Sequence, residues 1–235
     1  MRLLIVIPTL NEKENISLIT RKIFSACKGA KILFIDDNSQ DGTRSEIINL
    51  RKNNNKVDYI FRPKKLGIGS AHKLGMKYAK KKNFKFLVTM DCDGTHNPTY
   101  ITFMLKLLKS YDVVNTNRFN YKNGINKWAL HRQILTKIRH FLVSYLLDLR
   151  FDSSGGFRCY NLKKINLNHY LEASHDGYSF LWESLFILKE KKYKIKDINV
   201  ILPKRSLGFS KMKFLDVLDG FFYLIRIFIL YRILK

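Results

Sequence analysis

The sequence predicts an α/β fold wound on both faces of a parallel sheet. In the first half of the chain, short apolar runs bounded by turn residues alternate with stretches of helical periodicity. Strand followed by helix, repeated, is the order of a doubly wound sheet, whose ligands sit where the strands end. At 235 residues, 46% of them apolar, the chain is long enough for one such domain and a small addition.

Each element follows from a local pattern. Residues 3–7 are a continuous apolar strand, and Pro8-Thr9-Leu10-Asn11-Glu12 turns the chain into a helix over 14–26. Residues 32–35 form the second strand, closed by Asp36-Asp37-Asn38-Ser39, and a helix over 43–51 follows Asp41-Gly42. A third strand is expected at 57–61 and a helix at 70–82; a fourth strand at 86–90 precedes a helix at 100–110. Asn97-Pro98 opens that last helix as N-cap and first-turn proline. A fifth strand covers 113–114, and no linker, repeat or low-complexity block interrupts the series.

After about residue 118 the pattern changes. A long helix over 128–149 carries Arg132 and Arg139 seven residues apart, hence on one face. A helix at 178–191 and a strand at 195–202 follow. In the closing stretch 214–235, Asp216, Asp219, Tyr223 and Arg226 share one narrow stripe, and apolar residues surround it. A membrane span needs about twenty nearly uncharged residues, and the charges here argue against one. A helix lying in the membrane interface is expected instead, giving a domain over 1–213 and an interface helix over 214–235. The competing reading is an ordinary helix packed on the sheet.

The charge balance, 43 Lys plus Arg against 19 Asp plus Glu, favours a polyanionic partner such as nucleic acid, an anionic bilayer or phosphorylated substrates. A lysine-rich solvated surface would explain much of it equally well. Cys27, Cys92 and Cys159 are odd in number and lack CxxC spacing, which argues against a disulfide framework or zinc site and fits a reducing compartment. The apolar start is too short for a signal peptide, so the chain is expected in the cytoplasm.

The strongest chemical signal is Asp91-Cys92-Asp93, directly after an apolar strand. Two carboxylates at alternate positions can converge on one hard cation, Mg²⁺ or Mn²⁺, which keeps open sites for diphosphate oxygens. A solvated acidic turn is the bland alternative. Acids at the second strand end, Asp36 and Asp37, can accept from ribose hydroxyls or base N–H groups, and Asp41 can cap the next helix. Glu12, at the first strand end, can face the same base. Gly67-Ile68-Gly69-Ser70 is no dinucleotide fingerprint, because His72 stands at its third glycine position; a close-packed turn is expected there. His72 and His96 read as surface or capping residues.

Together these segments resemble the dolichyl-phosphate and polyprenyl-phosphate mannosyltransferases of glycosyltransferase family 2, which have the GT-A fold. The likeness covers nearly the whole chain. It runs from Ile7-Pro8-Thr9 and Asn11-Glu12 through Asp36-Asp37-Asn38-Ser39, Asp41-Gly42-Thr43, Gly67-Ile68-Gly69-Ser70-Ala71 and Asp91-Cys92-Asp93 to Arg118. It continues through Trp128 with Arg132, Asp152-Ser153-Ser154-Gly155-Gly156-Phe157-Arg158, and Gly177-Tyr178 with Phe180 and Glu183. It closes with Arg205-Ser206-Leu207-Gly208-Phe209-Ser210-Lys211.

The resemblance implies that Pro8, Leu10, Glu12, Ile35 and Asp37 hold the nucleoside, with Cys92 counted in the nucleotide-sugar site. It implies that Asp91 and Asp93 bind metal and diphosphate, and that Arg118, Arg132, Arg205 and Lys211 meet the phosphates of donor and acceptor. Thr95 is the third candidate ligand, at a position where some relatives have Gln, and Leu181 also stands where relatives often have Gln. The expected activity is an inverting, metal-dependent transfer of a hexose onto a polyprenyl phosphate at the cytoplasmic membrane face. GDP-mannose is the expected donor and UDP-glucose the alternative. A nucleic-acid-binding protein would interleave aromatics with its basic residues; here they crowd the apolar helices, so no nucleic acid is expected. A sugar-phosphate nucleotidylyltransferase would want a glycine-rich loop after strand one, which this chain lacks.

Overall fold

The computed structural model describes residues 2–120, 130–203, 205, 207, 211 and 214–234, with backbone alone at 131 and 132. The chain runs β1 (Leu3–Thr9), α1 (Lys13–Ala26), β2 (Ala30–Asp36), α2 (Thr43–Asn53), β3 (Val57–Phe61), α3 (Ile68–Lys81), β4 (Phe86–Thr89) and α4 (Tyr100–Leu107). It continues with β5 (Val113–Asn117), α5 (Leu130–Leu147), β6 (Arg158–Asn161), α6 (Leu167–Leu171), α7 (Phe180–Glu190), β7 (Ile195–Asn199) and α8 (Phe214–Phe228), and ends in a π-helical turn, Ile229–Ile233.

Alternation along β1 sets the layers, because successive side chains of a strand point to opposite faces. Leu3, Ile5 and Ile7 join one apolar layer with Ile16, Ile19 and Ile23 of α1 and Ile47 of α2. Leu4 and Val6 join the other, with Met76 and Ala79 of α3 and Phe180, Leu185 and Phe186 of α7. Between the layers the seven strands lie in the order β3-β2-β1-β4-β6-β5-β7.

The sheet is not wholly parallel. β6 runs antiparallel to both β4 and β5, while the remaining pairs are parallel. Nothing in the sequence pattern marks β6: its four residues begin with Arg158 and end with Asn161. β5 is likewise longer than its two valines, because Asn115, Thr116 and Asn117 are buried with their hydrogen bonds satisfied. Asn115 Nδ2 and Asn117 Nδ2 donate to the two carboxylate oxygens of Asp197 at 2.7 and 2.6 Å, and Thr116 Oγ1 donates to the Phe157 carbonyl at 3.0 Å. β7 stops at Asn199, short of the expected 202. Trp128 lies outside the described residues.

The α3 turn shows why two glycines are needed. Gly67 has φ +92°, and a Cβ there would fall 2.4 Å from the Asp176 carbonyl oxygen; at Gly69 it would fall 2.5 Å from Phe180 Cβ. The 174–177 loop therefore packs directly on the start of α3, with Ser70 N–H donating to the Asp176 carbonyl at 3.1 Å.

α8 is docked by its polar stripe. Asp219 meets His175 Nε2 at 2.9 Å, and the Tyr223 hydroxyl donates to buried Glu183 at 2.7 Å. Leu224 and Ile227 complete the buried face. The rest of the helix, with Phe214, Leu215, Phe221 and Phe222, is exposed, as are Ile134, Leu135, Ile138 and Phe141 of α5. Among the described residues no helix is long and apolar enough to cross a membrane.

Candidate active site

The site forms where β1, β2 and β4 end. Past Thr89 the Cys92 thiol joins the core with Ile16 and Ile19, Asp93 is buried, and the Asp91 side chain keeps part of its surface open. Burial drives the thiol well above its ordinary range, so it stays protonated and buried.

The two aspartates lie close enough to shift one another and titrate in opposite directions. Burial, reinforced by Asp93, raises the Asp91 carboxyl above the usual carboxylate range against the pull of His96 and Arg205, although the side chain keeps 38% of its surface open. For Asp93, burial works upward, but His96, the Thr95 hydroxyl and Arg205 outweigh it and hold the carboxyl below that range. Thr95 contributes both its N–H, at 3.1 Å, and its hydroxyl, at 2.7 Å, to Asp93 Oδ1. Arg205 takes Asp93 Oδ2 at 2.7 Å and lies 3.7 Å from Glu12 Oε1.

Glu12 is buried, and that burial raises its carboxyl although Asn15, Arg205 and Lys211 all work against it. Asn15 Nδ2 donates to it at 2.6 Å. Arg205 and Lys211 thus bring positive charge onto the acids of β1 and β4 from far along the chain. Pro8 and Leu10, half-buried, flank this turn, while Ile35 is wholly buried in the core and presents only backbone at the strand end.

Asp37 and Arg118 have partners of their own. Asp37 accepts from the Leu66 and Gly67 N–H groups at 2.8 and 2.9 Å and pairs with buried Arg62 at 2.7 Å, so it closes the 62–67 loop. Arg118 grips Asp152 through Nε at 2.7 Å and Nη2 at 3.1 Å. Burial would raise Asp152, but Arg118 overcomes this and leaves it below the usual range. Arg132 lies on α5 with its side chain outside the described residues. Asp41 accepts from the Thr43 N–H at 3.0 Å, an Asx-type turn, and from the Lys13 N–H at 3.1 Å, while the N-cap position of α2 is taken by Gly42 rather than by Asp41 as expected.

Both histidines are buried, contrary to the surface or capping role read from the sequence. His96 Nδ1 accepts from the Asp91 N–H at 2.8 Å, which puts its proton on Nε2, 3.8 Å from Asp91 Oδ2. Its ring stacks on Phe157 at 5.1 Å. Burial, then the charge of Arg158, lowers His72 to about 3, so its ring is neutral. Arg158 is itself wholly buried, held by the Asn115 and Ser184 side chains and the Ser153 carbonyl. Tyr178 completes the surroundings: burial raises it to about 12, and Asp216, Asp91, Arg205 and Glu12 all act on it. Arg158 and Tyr178 were signalled in the sequence only by their place inside the quoted motifs, and His72 and His96 only by lying just beyond two of them.

The donor set fits a hard divalent cation. Among the described residues no group of three or more His, Cys, Asp or Glu converges as a closed metal cage. Two carboxylates do act on each other at one strand end, and Mg²⁺ is characteristically held by one or two carboxylates with water and substrate phosphates. Arg205 on Asp93 shows that the pocket already accommodates positive charge.

Comparison with known proteins adds an independent finding. The family model described as Glycosyl transferase family 2 matches residues 4–168. Polyprenol monophosphomannose synthase of Mycolicibacterium smegmatis is 28% identical over 94% of this chain and 84% of its own length. Undecaprenyl-phosphate mannosyltransferase of Micrococcus luteus is 26% identical over 90% of this chain and 88% of its own. Among solved structures, glucosyl-3-phosphoglycerate synthase from Mycobacterium tuberculosis, crystallised with Mn²⁺, UDP and glucosyl-3-phosphoglycerate, superposes with a TM-score of 0.61. That match has 16% identity and covers 95% of this chain and 76% of the other, a likeness of fold.

Proposed function

The chain belongs to glycosyl transferase family 2, and from that premise we propose that it transfers a hexose from a nucleotide-sugar to a polyprenyl phosphate held in a membrane. The observation that carries this reading is the position of α8. Its outward face is apolar, while its first turn brings Asp216 within electrostatic reach of Tyr178, which also feels Asp91 and Glu12. A greasy shelf thus borders an acid cleft, as an acceptor with a lipid tail and a phosphate head requires. Both named relatives act on polyprenyl or undecaprenyl phosphates.

The donor we propose is GDP-mannose, on the strength of the mannosyl transfer named in both relatives, with UDP-glucose as the alternative. The reduced, buried thiols favour the cytoplasmic membrane face. Asp91 and Asp93 would hold Mg²⁺ or Mn²⁺, which when bound neutralises charge on the leaving diphosphate.

The protein's own groups have a limited task. A phosphate monoester is anionic at pH 7, so its oxygen attacks the anomeric carbon without a strong general base. The bond from that carbon to the nucleoside diphosphate breaks as the new one forms, and the configuration inverts. Arg205 and Lys211 reduce the growing negative charge, and Glu12 orients the nucleoside. Purified protein with Mn²⁺, undecaprenyl or dolichyl phosphate and a panel of radiolabelled donors tests this. Label passing from GDP-mannose into the organic phase supports it; no transfer from any donor would refute it.

A further inference from the structure

We propose that Tyr178 is an acceptor-binding residue whose hydroxyl donates a hydrogen bond to the phosphate of the polyprenyl acceptor. The inference rests on the transferase reading above and deepens it by assigning a group to the acceptor's head. Tyr178 is half-buried, and among the described residues its hydroxyl has no hydrogen-bond partner. The Tyr78 and Tyr223 hydroxyls, by contrast, donate to Asp58 and Glu183 at 2.6 and 2.7 Å.

The loop that carries it is held on three sides. Towards α3, Lys73 Nζ donates to the Ser174 carbonyl at 3.0 Å and pairs with Asp176 at 2.8 Å. Towards α7, buried Glu183 accepts from the N–H groups of Ser174 and His175, both at 3.0 Å, and Leu181 N–H donates to the Tyr178 carbonyl at 3.1 Å. Towards α8, a Cβ at Gly220 would come within 3.2 Å of Ser179 Oγ, so that helix packs against the residue next to Tyr178. None of these contacts uses the phenol. A loop so held presents its side chain with little left to order on binding.

The surroundings select the ligand. Among the charged groups that act on the phenol, Asp216 comes first, then Asp91, Arg205 and Glu12. Asp216 stands in the first turn of α8 directly after Phe214 and Leu215, which are 73% and 72% exposed. Tyr178 therefore marks the boundary between the apolar shelf and the acid cleft. An acceptor with its tail on the shelf and its head at the anomeric carbon puts its phosphate there. A lysine at this place would be claimed by Asp216 and Asp91, whereas a phenol is neutral at pH 7 and still donates. A hydrogen bond from it to an ionised phosphate oxygen is of the stronger kind. It can hold one phosphate oxygen while another attacks.

The test compares wild type with Tyr178→Phe, which keeps the ring and every backbone bond of the loop. Both are assayed with GDP-mannose, Mn²⁺ and either undecaprenyl phosphate or the short, soluble citronellyl phosphate. The KM for each acceptor should rise about ten-fold, while the KM for GDP-mannose and the affinity for GDP stay within about two-fold of wild type. The same rise with both acceptors is expected because they share only the phosphate head and the start of the chain. An unchanged acceptor KM would overturn the proposal and leave Tyr178 a packing residue. A rise for undecaprenyl phosphate alone would overturn it in favour of a contact with the lipid tail, and an equal rise for GDP-mannose in favour of the donor site. Absence of transfer by wild type from every donor would remove the transferase reading itself.

Discussion

Arg118 and Asp152 set the energetic stakes at the scale of single residues. Both are buried, and the guanidinium meets the carboxylate through two nitrogens. Asp152→Asn removes the countercharge and leaves a buried cation without it, so stability should fall by about 3–5 kcal/mol, read as a lower urea midpoint. The pH dependence follows from the same pair. Asp152 is depressed in the fold below its ordinary 3.8, so its contribution is complete above 3.8 and is lost as pH falls through the lower folded value. His72 acts over a wider window. It binds a proton at about 3 in the fold against 6.5 when unfolded, so the unfolded chain takes up more protons between those values. Its contribution is complete above pH 6.5 and wanes as pH falls towards 3. Melting curves across that range should slope for wild type and flatten for His72→Phe; parallel curves would contradict the burial argument.

At the scale of elements, α8 is the decisive case. Its periodicity revealed a polar stripe, but not which side of the helix met the protein, since that depends on His175 and Glu183 in another segment. Asp219 and Tyr223 of the stripe meet the protein beside buried Leu224 and Ile227, while most of the helix's other large apolar side chains are exposed. A helix on a water-facing surface does not carry such an excess of outward apolar surface. Phe222 and Phe214 are 66% and 73% exposed. Replacing both with Glu should abolish co-sedimentation with vesicles while leaving the melting temperature within a few degrees. Loss of the fold, or undiminished vesicle binding, would defeat the membrane role proposed for this face. Strands were legible wherever burial was apolar on both faces, as in β1 and β2. β5 and β6 were partly or wholly hidden because Asn115, Asn117 and Arg158 are buried by pairing, and hydropathy sees only their polarity.

Across the whole molecule, the site is assembled from segments distant in sequence. Arg205 lies 112 residues from its partner Asp93, and Gly156 is a neighbour of Asp91 across the β4–β6 pairing. Local reading found Asp91, Asp93 and Glu12 because strand ends in a doubly wound sheet gather ligands. It could not find that Asp37 is committed to Arg62 and the 66–67 backbone, that Cys92 turns into the core, or that His72 and His96 are buried, since each depends on packing between segments. The central claim is that Asp91 and Asp93 together hold a divalent cation for the donor diphosphate. Calorimetric titration of GDP into the full-length protein, with Mn²⁺ and with EDTA, tests it most directly. Tight binding that requires Mn²⁺ and falls at least about a hundred-fold in Asp93→Ala, with the fold intact by circular dichroism, is the predicted result. Equal affinity in EDTA and in the variant would contradict it.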